Sequence, residues 1–146
     1  MVRPSPVPPY RRVIVGSACT NASKIPVATT AIPTRTTILS NGRLSTWITS
    51  AGGGGLRWGD LALTRWREDI TTDAWGSFVF VRDLDTGDVW STTHQPTGRE
   101  ADAYEATFSL DRAVWRRVDS GLETRTEVVV SPEDDAELRR VSITNN

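Results

Sequence analysis

Glu68 and Asp69, with Asp73 close behind, are the residues whose types and spacing come nearest to a catalytic set. Paired carboxyls cleave or form glycosidic bonds when they face each other across a sugar and burial raises the pKa of one of them. Neighbouring residues on a strand point to opposite sides, so this pair does not meet that condition on its own. Arg65 and Arg67 alternate with the acids, and Arg65, Arg67, Glu68 and Asp69 read better as a hydrogen-bonded ion cluster on the rim of a larger site. The chain has six tryptophans, at 47, 58, 66, 75, 90 and 115. An indole offers a flat apolar face with a polar edge, which suits stacking on a sugar ring, but it is also a large core residue. Core or interface packing is the preferred reading except for Trp58 and Trp66, which flank a glycine run and the charged cluster. His94 is the only histidine and Cys19 the only cysteine. A zinc site, a Ser-His-Asp arrangement and an internal disulfide therefore have no support. His94 is read as a satisfied loop histidine.

Short strands must position these residues. Asn41-Gly42 is a hairpin signal, since both residues tolerate positive φ. It separates strands expected at 36–40 and 43–49, the second with Leu44, Thr46 and Ile48 on one face and Ser45, Trp47 and Thr49 on the other. The run from Ala51 to Gly55 ends that strand. Its glycines are expected outside the core, as a flexible loop or a place where backbone approaches a ligand or a neighbouring chain. No Lys-Ser/Thr pair and no helix pattern follow, so a phosphate loop is excluded. Residues 77–82 are apolar on both faces, as in a central strand, and 88–93 return as its hairpin partner. Further strands are expected at 104–110, with Tyr104, Ala106, Phe108 and Leu110 inward, and at 113–118. The strand at 122–130 turns Leu122, Thr124, Thr126, Val128 and Val130 one way and Glu123, Arg125 and Glu127 the other. A last strand follows the acidic turn at 131–135. This pattern predicts an all-β antiparallel sandwich.

The net charge of −1 argues against a nucleic-acid footprint. It hides an asymmetry: residues 1–59 carry seven Lys or Arg and no acid, whereas 60–146 carry all 18 acids and the remaining ten of the 17 basic residues. Lys24 is the one lysine, a bias that fits the codon usage of a GC-rich bacterial genome. No apolar run is long enough to span a bilayer, and the single cysteine is compatible with a reducing, cytoplasmic setting. Residues 1–35 are rich in proline, serine and threonine and are expected to form a disordered leader, with Val13–Val15 as the one place where a short strand could pair. Residues 36–146 are expected to form the globular part. The sequence ends directly after a strand whose free edge has no later partner, so a truncated domain is expected.

A family likeness emerges from the order of the pieces. Leu39-Ser40-Asn41-Gly42-Arg43, the Ala51–Gly54 run, Arg57-Trp58, Asp60-Leu61-Ala62, Thr64-Arg65-Trp66-Arg67-Glu68-Asp69 and Trp75-Gly76 come first. Arg82-Asp83-Leu84, Gly87, Val89-Trp90-Ser91, Thr93-His94-Gln95-Pro96-Thr97 and Val130–Asp135 through Arg139-Arg140-Val141 follow. Together they resemble the N-terminal supersandwich domain, of galactose mutarotase-like fold, of glycoside hydrolase family 94. Within that family they resemble the phosphorylase-like part of bacterial cyclic β-1,2-glucan synthases. Leu44, Ser50, Gly55-Leu56 and Gly59 depart from the pattern, which bears on loop geometry. The resemblance implies a β-sandwich packed on an (α/α)6 barrel. The barrel would carry the general acid, and inorganic phosphate would be a substrate of the whole enzyme. It implies no catalytic residue, metal or cofactor in this chain, and it implies a β-glucan or oligosaccharide, the barrel and a homodimer contact as partners. The whole synthase would be associated with the inner membrane. Trp58, Arg65, Trp66, Arg67, Glu68 and Asp69 are the expected carbohydrate-facing or rim residues. The alternatives are a free-standing carbohydrate-binding β-domain and a non-functional gene remnant.

Overall fold

A computed structural model describes residues 12–21, 35–65, 73 and 75–145, with side chains for all of these except 18–21. Among the described residues eleven strands make three sheets, and every neighbouring pair is antiparallel. One sheet has the order β1 (Val13–Asn21), β6 (Trp75–Asp83), β7 (Val89–Ser91). A second runs β2 (Thr36–Ser40), β3 (Leu44–Thr49), β4 (Gly54–Trp58), β5 (Leu61–Ala62). The third runs β11 (Glu137–Asn145), β10 (Leu122–Val130), β9 (Arg112–Asp119), β8 (Ala103–Phe108). Among the described residues there is no helix, so none is long and apolar enough to cross a membrane.

The β8–β11 sheet supplies the common inner face. Period-2 alternation on β9 and β10 buries Ala113, Trp115, Leu122, Thr124, Thr126 and Val128. One end of this face packs on Leu39 and Ile48 of the β2–β5 sheet, joined by Tyr104, Ala106 and Phe108. The other end packs Leu122 and Ile143 on Val81, Trp90 and Val13 of the β1–β6–β7 sheet. The sandwich and the facing of β3 and β10 follow the sequence reading, with two differences. Leu110 is fully exposed rather than inward. Strand β8 stops at Phe108 because Ser109 N–H bonds the Arg112 carbonyl at 2.9 Å and closes a turn that carries Leu110 outward. Glu127, on the face opposite Leu122 and Val128 as expected, is buried among arginines rather than partly open like its neighbours on that face.

Strand β1 lies inside the stretch expected to be a disordered leader. It pairs with β6 along its whole length, from Val13 opposite Asp83 to Asn21 opposite Trp75. The reason is on β6: an apolar central strand needs a neighbour on each side, and β7 provides three residues on one side only. The short pairing strand considered for Val13–Val15 is therefore the start of a longer one.

The hairpin at Asn41-Gly42 forms by different means from the expected two-residue turn. Only Gly42 has positive φ, at 90°. Asn41 instead uses its side chain: Oδ1 accepts the N–H groups of Arg43 at 3.0 Å and Leu44 at 2.8 Å. Its Nδ2 donates to the carbonyls of Ser131 at 3.0 Å and Asp134 at 2.9 Å, which ties the hairpin to the β10–β11 turn.

Candidate functional site

Two polar regions stand out. At the Asn41 end, Trp58 closes β4 and is 48% exposed. Its Nε1–H donates to Asp135 Oδ2 at 2.7 Å, and Arg43 Nε donates to Asp135 Oδ1 at 2.9 Å. The hydrogen bond from Trp58, followed by that from Arg43, holds the Asp135 carboxyl below its usual range. The indole edge is thus fixed while much of the ring stays open. Leu61, its cross-strand partner on β5, is exposed beside it. Arg57 borders the same strand end, bonding the Gly59 carbonyl at 3.0 Å. This arrangement suits stacking on an apolar sugar face, with cations and carboxylates at the rim for hydroxyl groups.

The second region is built from the glycine run and the loop after β7. The run is buried, contrary to expectation. A Cβ on Gly53 would collide with the Asp73 carboxylate, and one on Gly55 with the indole of Trp47. The close approach is real, but it is to this chain's own side chains. Asp73 accepts hydrogen bonds from the Thr49 hydroxyl and the Gly53 backbone. Burial outweighs both and raises its pKa.

Beside it, Tyr104 Oη donates to the Ser50 carbonyl at 2.7 Å, and Trp115 Nε1–H donates to the same oxygen at 3.0 Å. Arg117, fully buried, reaches Asp119 through two bonds of 2.7 and 2.9 Å. It also binds the carbonyls of Thr93 at 3.1 Å and Arg99 at 3.0 Å. The loop from Thr92 to Thr97 is thereby pinned to β9. His94 sits in it with its backbone N–H on Tyr104 Oη at 3.3 Å and its ring edge-on to Tyr104. Its imidazole makes no hydrogen bond among the described residues, so the loop assignment holds and the expected satisfaction does not. Burial, then the Arg117 charge, lowers its pKa and keeps it neutral at pH 7.

Of the six residues expected at the site, Trp58 and Arg65 are described, and Arg65 is exposed just after β5. Trp66, Arg67, Glu68 and Asp69 lie outside the described residues. Among the described residues Asp73 is not brought to a second carboxylate; its partners there are a hydroxyl and a backbone amide. Asp135, Asn41 and Arg43 were not expected at the site. The charge asymmetry points to Arg43 and Asp135, though not to Asn41: an arginine among residues 1–59 can pair only with an acid from 60–146. Among the described residues, no group of three His, Cys, Asp or Glu could hold a metal ion.

The comparisons agree with this architecture. The sequence is 38% identical over 110 residues to cyclic beta-(1,2)-glucan synthase NdvB of Rhizobium meliloti (strain 1021), covering 75% of this chain and 4% of that protein. It is 32% identical over 85 residues to N,N'-diacetylchitobiose phosphorylase of Vibrio proteolyticus, covering 57% and 11%. It is 32% identical over 68 residues to 3-O-beta-D-glucopyranosyl-beta-D-glucuronide phosphorylase of Paenibacillus borealis, covering 47% and 9%. The chain thus spans a small fraction of the length of these relatives. The family model of the glycosyl hydrolase 94 supersandwich domain matches residues 24–146. The chain belongs to glycosyl hydrolase family 94, through its supersandwich domain.

Proposed function

We propose that these residues form a carbohydrate-facing scaffold within an enzyme of β-glucan synthesis or phosphorolysis, and that the segment by itself performs no turnover. The observation that carries the reading is Trp58: a half-open indole whose edge is fixed by a carboxylate that an arginine also holds. A stacking surface held in one orientation loses little freedom when a sugar lands on it. The similarity to a cyclic β-1,2-glucan synthase makes a β-1,2-linked glucan the first ligand to try. In the whole enzyme the sandwich would pack on an (α/α)6 barrel that supplies the general acid and uses inorganic phosphate as a substrate. Arg65 and the stretch through Asp69 would line the rim or a homodimer contact, and the setting would be cytoplasmic.

Two measurements test this. Titration of the purified chain with β-1,2-linked gluco-oligosaccharides is expected to shift the Trp58 indole N–H signal saturably. Trp58→Ala is expected to abolish that binding while leaving the thermal unfolding midpoint nearly unchanged. No saturable shift, or binding indifferent to Trp58→Ala, defeats the carbohydrate-facing role. With phosphate and the same oligosaccharides, the chain is expected to release no glucose 1-phosphate; phosphate-dependent release defeats the claim that it has no turnover of its own.

A further inference from the structure

The loop after β7 holds two polar side chains that its own architecture does not use. His94 is 8% exposed and Gln95 is 9% exposed. Neither the imidazole nor the carboxamide makes a hydrogen bond among the described residues. Nearly buried polar groups ordinarily have partners, so two adjacent exceptions need a reason. They are not what holds the loop. Ser91 Oγ donates to the Thr93 carbonyl at 2.7 Å, Thr93 Oγ1 donates to the Gln95 carbonyl at 2.8 Å, and Gln95 N–H donates to the Ala51 carbonyl at 2.8 Å. Arg117 anchors the rest. Nor are the two groups sealed in: the polar atoms that are wholly enclosed without a hydrogen bond belong to other residues. Their ends therefore keep a narrow opening to solvent.

We propose that His94 and Gln95 form a hydroxyl-recognition point for a neutral pyranose, a second contact beyond Trp58 for the same class of ligand. This rests on the carbohydrate-facing reading above. The chemistry selects the ligand. A neutral imidazole and a primary carboxamide each donate and accept, as does every sugar hydroxyl. An anionic ligand would call for a free cation, but the buried guanidinium nearby, Arg117, is spent on Asp119 and two carbonyls. Tyr104, edge-on to the imidazole, closes one side with an aromatic ring.

The test exploits the sequence: His94 is the only histidine and Gln95 the only glutamine, so their side-chain NMR signals are unambiguous. The full chain is titrated with a β-1,2-linked glucose oligosaccharide, with glycerol as a control polyol. The expected result is a saturable shift of the His94 ring C–H and the Gln95 side-chain NH2 signals, absent with glycerol. Gln95→Ala retains the backbone bonds of the loop and is expected to weaken binding by about tenfold, the order set by one lost hydrogen bond. If the Trp58 indole moves and the His94 and Gln95 signals do not, this inference falls while the carbohydrate-facing reading stands. If none of them moves, both fall. If the His94 and Gln95 signals move with protein concentration and not with sugar, the pair faces another protein surface and the inference falls.

Discussion

On the inner face of the β8–β11 sheet, Arg117 and Asp119 form a two-bond ion pair whose side chains are 0% and 3% exposed. On the outer face of the same sheet, Glu127 is nearly as enclosed, but the three arginines around it, Arg112, Arg125 and Arg140, are 42–69% exposed. Arg112 reaches it at 2.7 Å and Arg125 at 3.1 Å. The hydrogen bond from Arg140, followed by those from the other two, keeps its carboxyl below the usual range. The two sites use the same chemistry. What differs is redundancy and access to water. Asp119 depends on one guanidinium that solvent cannot replace, whereas Glu127 has three donors on exposed side chains that water can imitate.

Breaking the inner pair is expected to have the largest effect. Arg117→Ala leaves Asp119 charged and enclosed, and also frees the Thr93 and Arg99 carbonyls. A loss of about 3–5 kcal/mol is the order expected for removing one partner of a buried pair. Denaturant unfolding measures it. Arg125→Ala on the outer face is expected to cost far less, and added salt is expected to shrink its effect while leaving that of Arg117→Ala in place. Equal losses with equal salt dependence would erase the distinction between the faces.

A smaller effect is expected where backbone meets side chain. Gly55→Ala drives a methyl into the ring of Trp47. Overpacking of this kind costs about 1–3 kcal/mol. The same measurement on Gly98→Ala probes a glycine with open space around it and a φ of 61°; there only backbone strain is at stake, so a smaller loss is expected. If Gly55→Ala is the milder change, Trp47 does not press on β4 as described.

These contrasts mark what the sequence can and cannot express. The alternation of Leu122 through Val128 made the β10 face legible, because period 2 leaves only one way to bury an apolar set. Asn41-Gly42 located the hairpin correctly but not its mechanism, because the asparagine side chain and a left-handed backbone are competing ways to turn. The glycine run was placed outside the core, as a loop or a close-approach point for a ligand or neighbouring chain, because an absent side chain says nothing about what fills its place. Trp47 and Asp73 fill it, and neither position follows from local pattern. Trp58 was legible as an exposed aromatic, but its anchor Asp135 lies on a turn in the opposite half of the chain. Only the separation of acids from bases hinted at such a pairing. His94 is the sharpest miss. A lone histidine in a loop gave no sign that its ring would be buried and would make no hydrogen bond among the described residues.

Asp73 offers the finest test of how burial separates one carboxylate from another, because here the expected sign is opposite to that of Glu127. Burial raises its folded-state pKa above the ordinary 3.8, against the smaller opposing pull of Thr49 and Gly53. Between 3.8 and that raised value the folded chain holds more protons than the unfolded one, so stability falls as pH rises through this window. Glu127 behaves in reverse: its lowered pKa gives stability that is present above its unfolded value and is lost on acidification. Asp73→Asn keeps the shape and one acceptor oxygen but removes the charge. At pH 3 the variant and the native chain should unfold at nearly the same temperature, since both carry a neutral group. At pH 7 the variant should unfold slightly higher. A variant that is less stable at pH 7, or a difference that does not change with pH, would mean that the hydrogen bonds from Thr49 and Gly53 outweigh the cost of burying the charge.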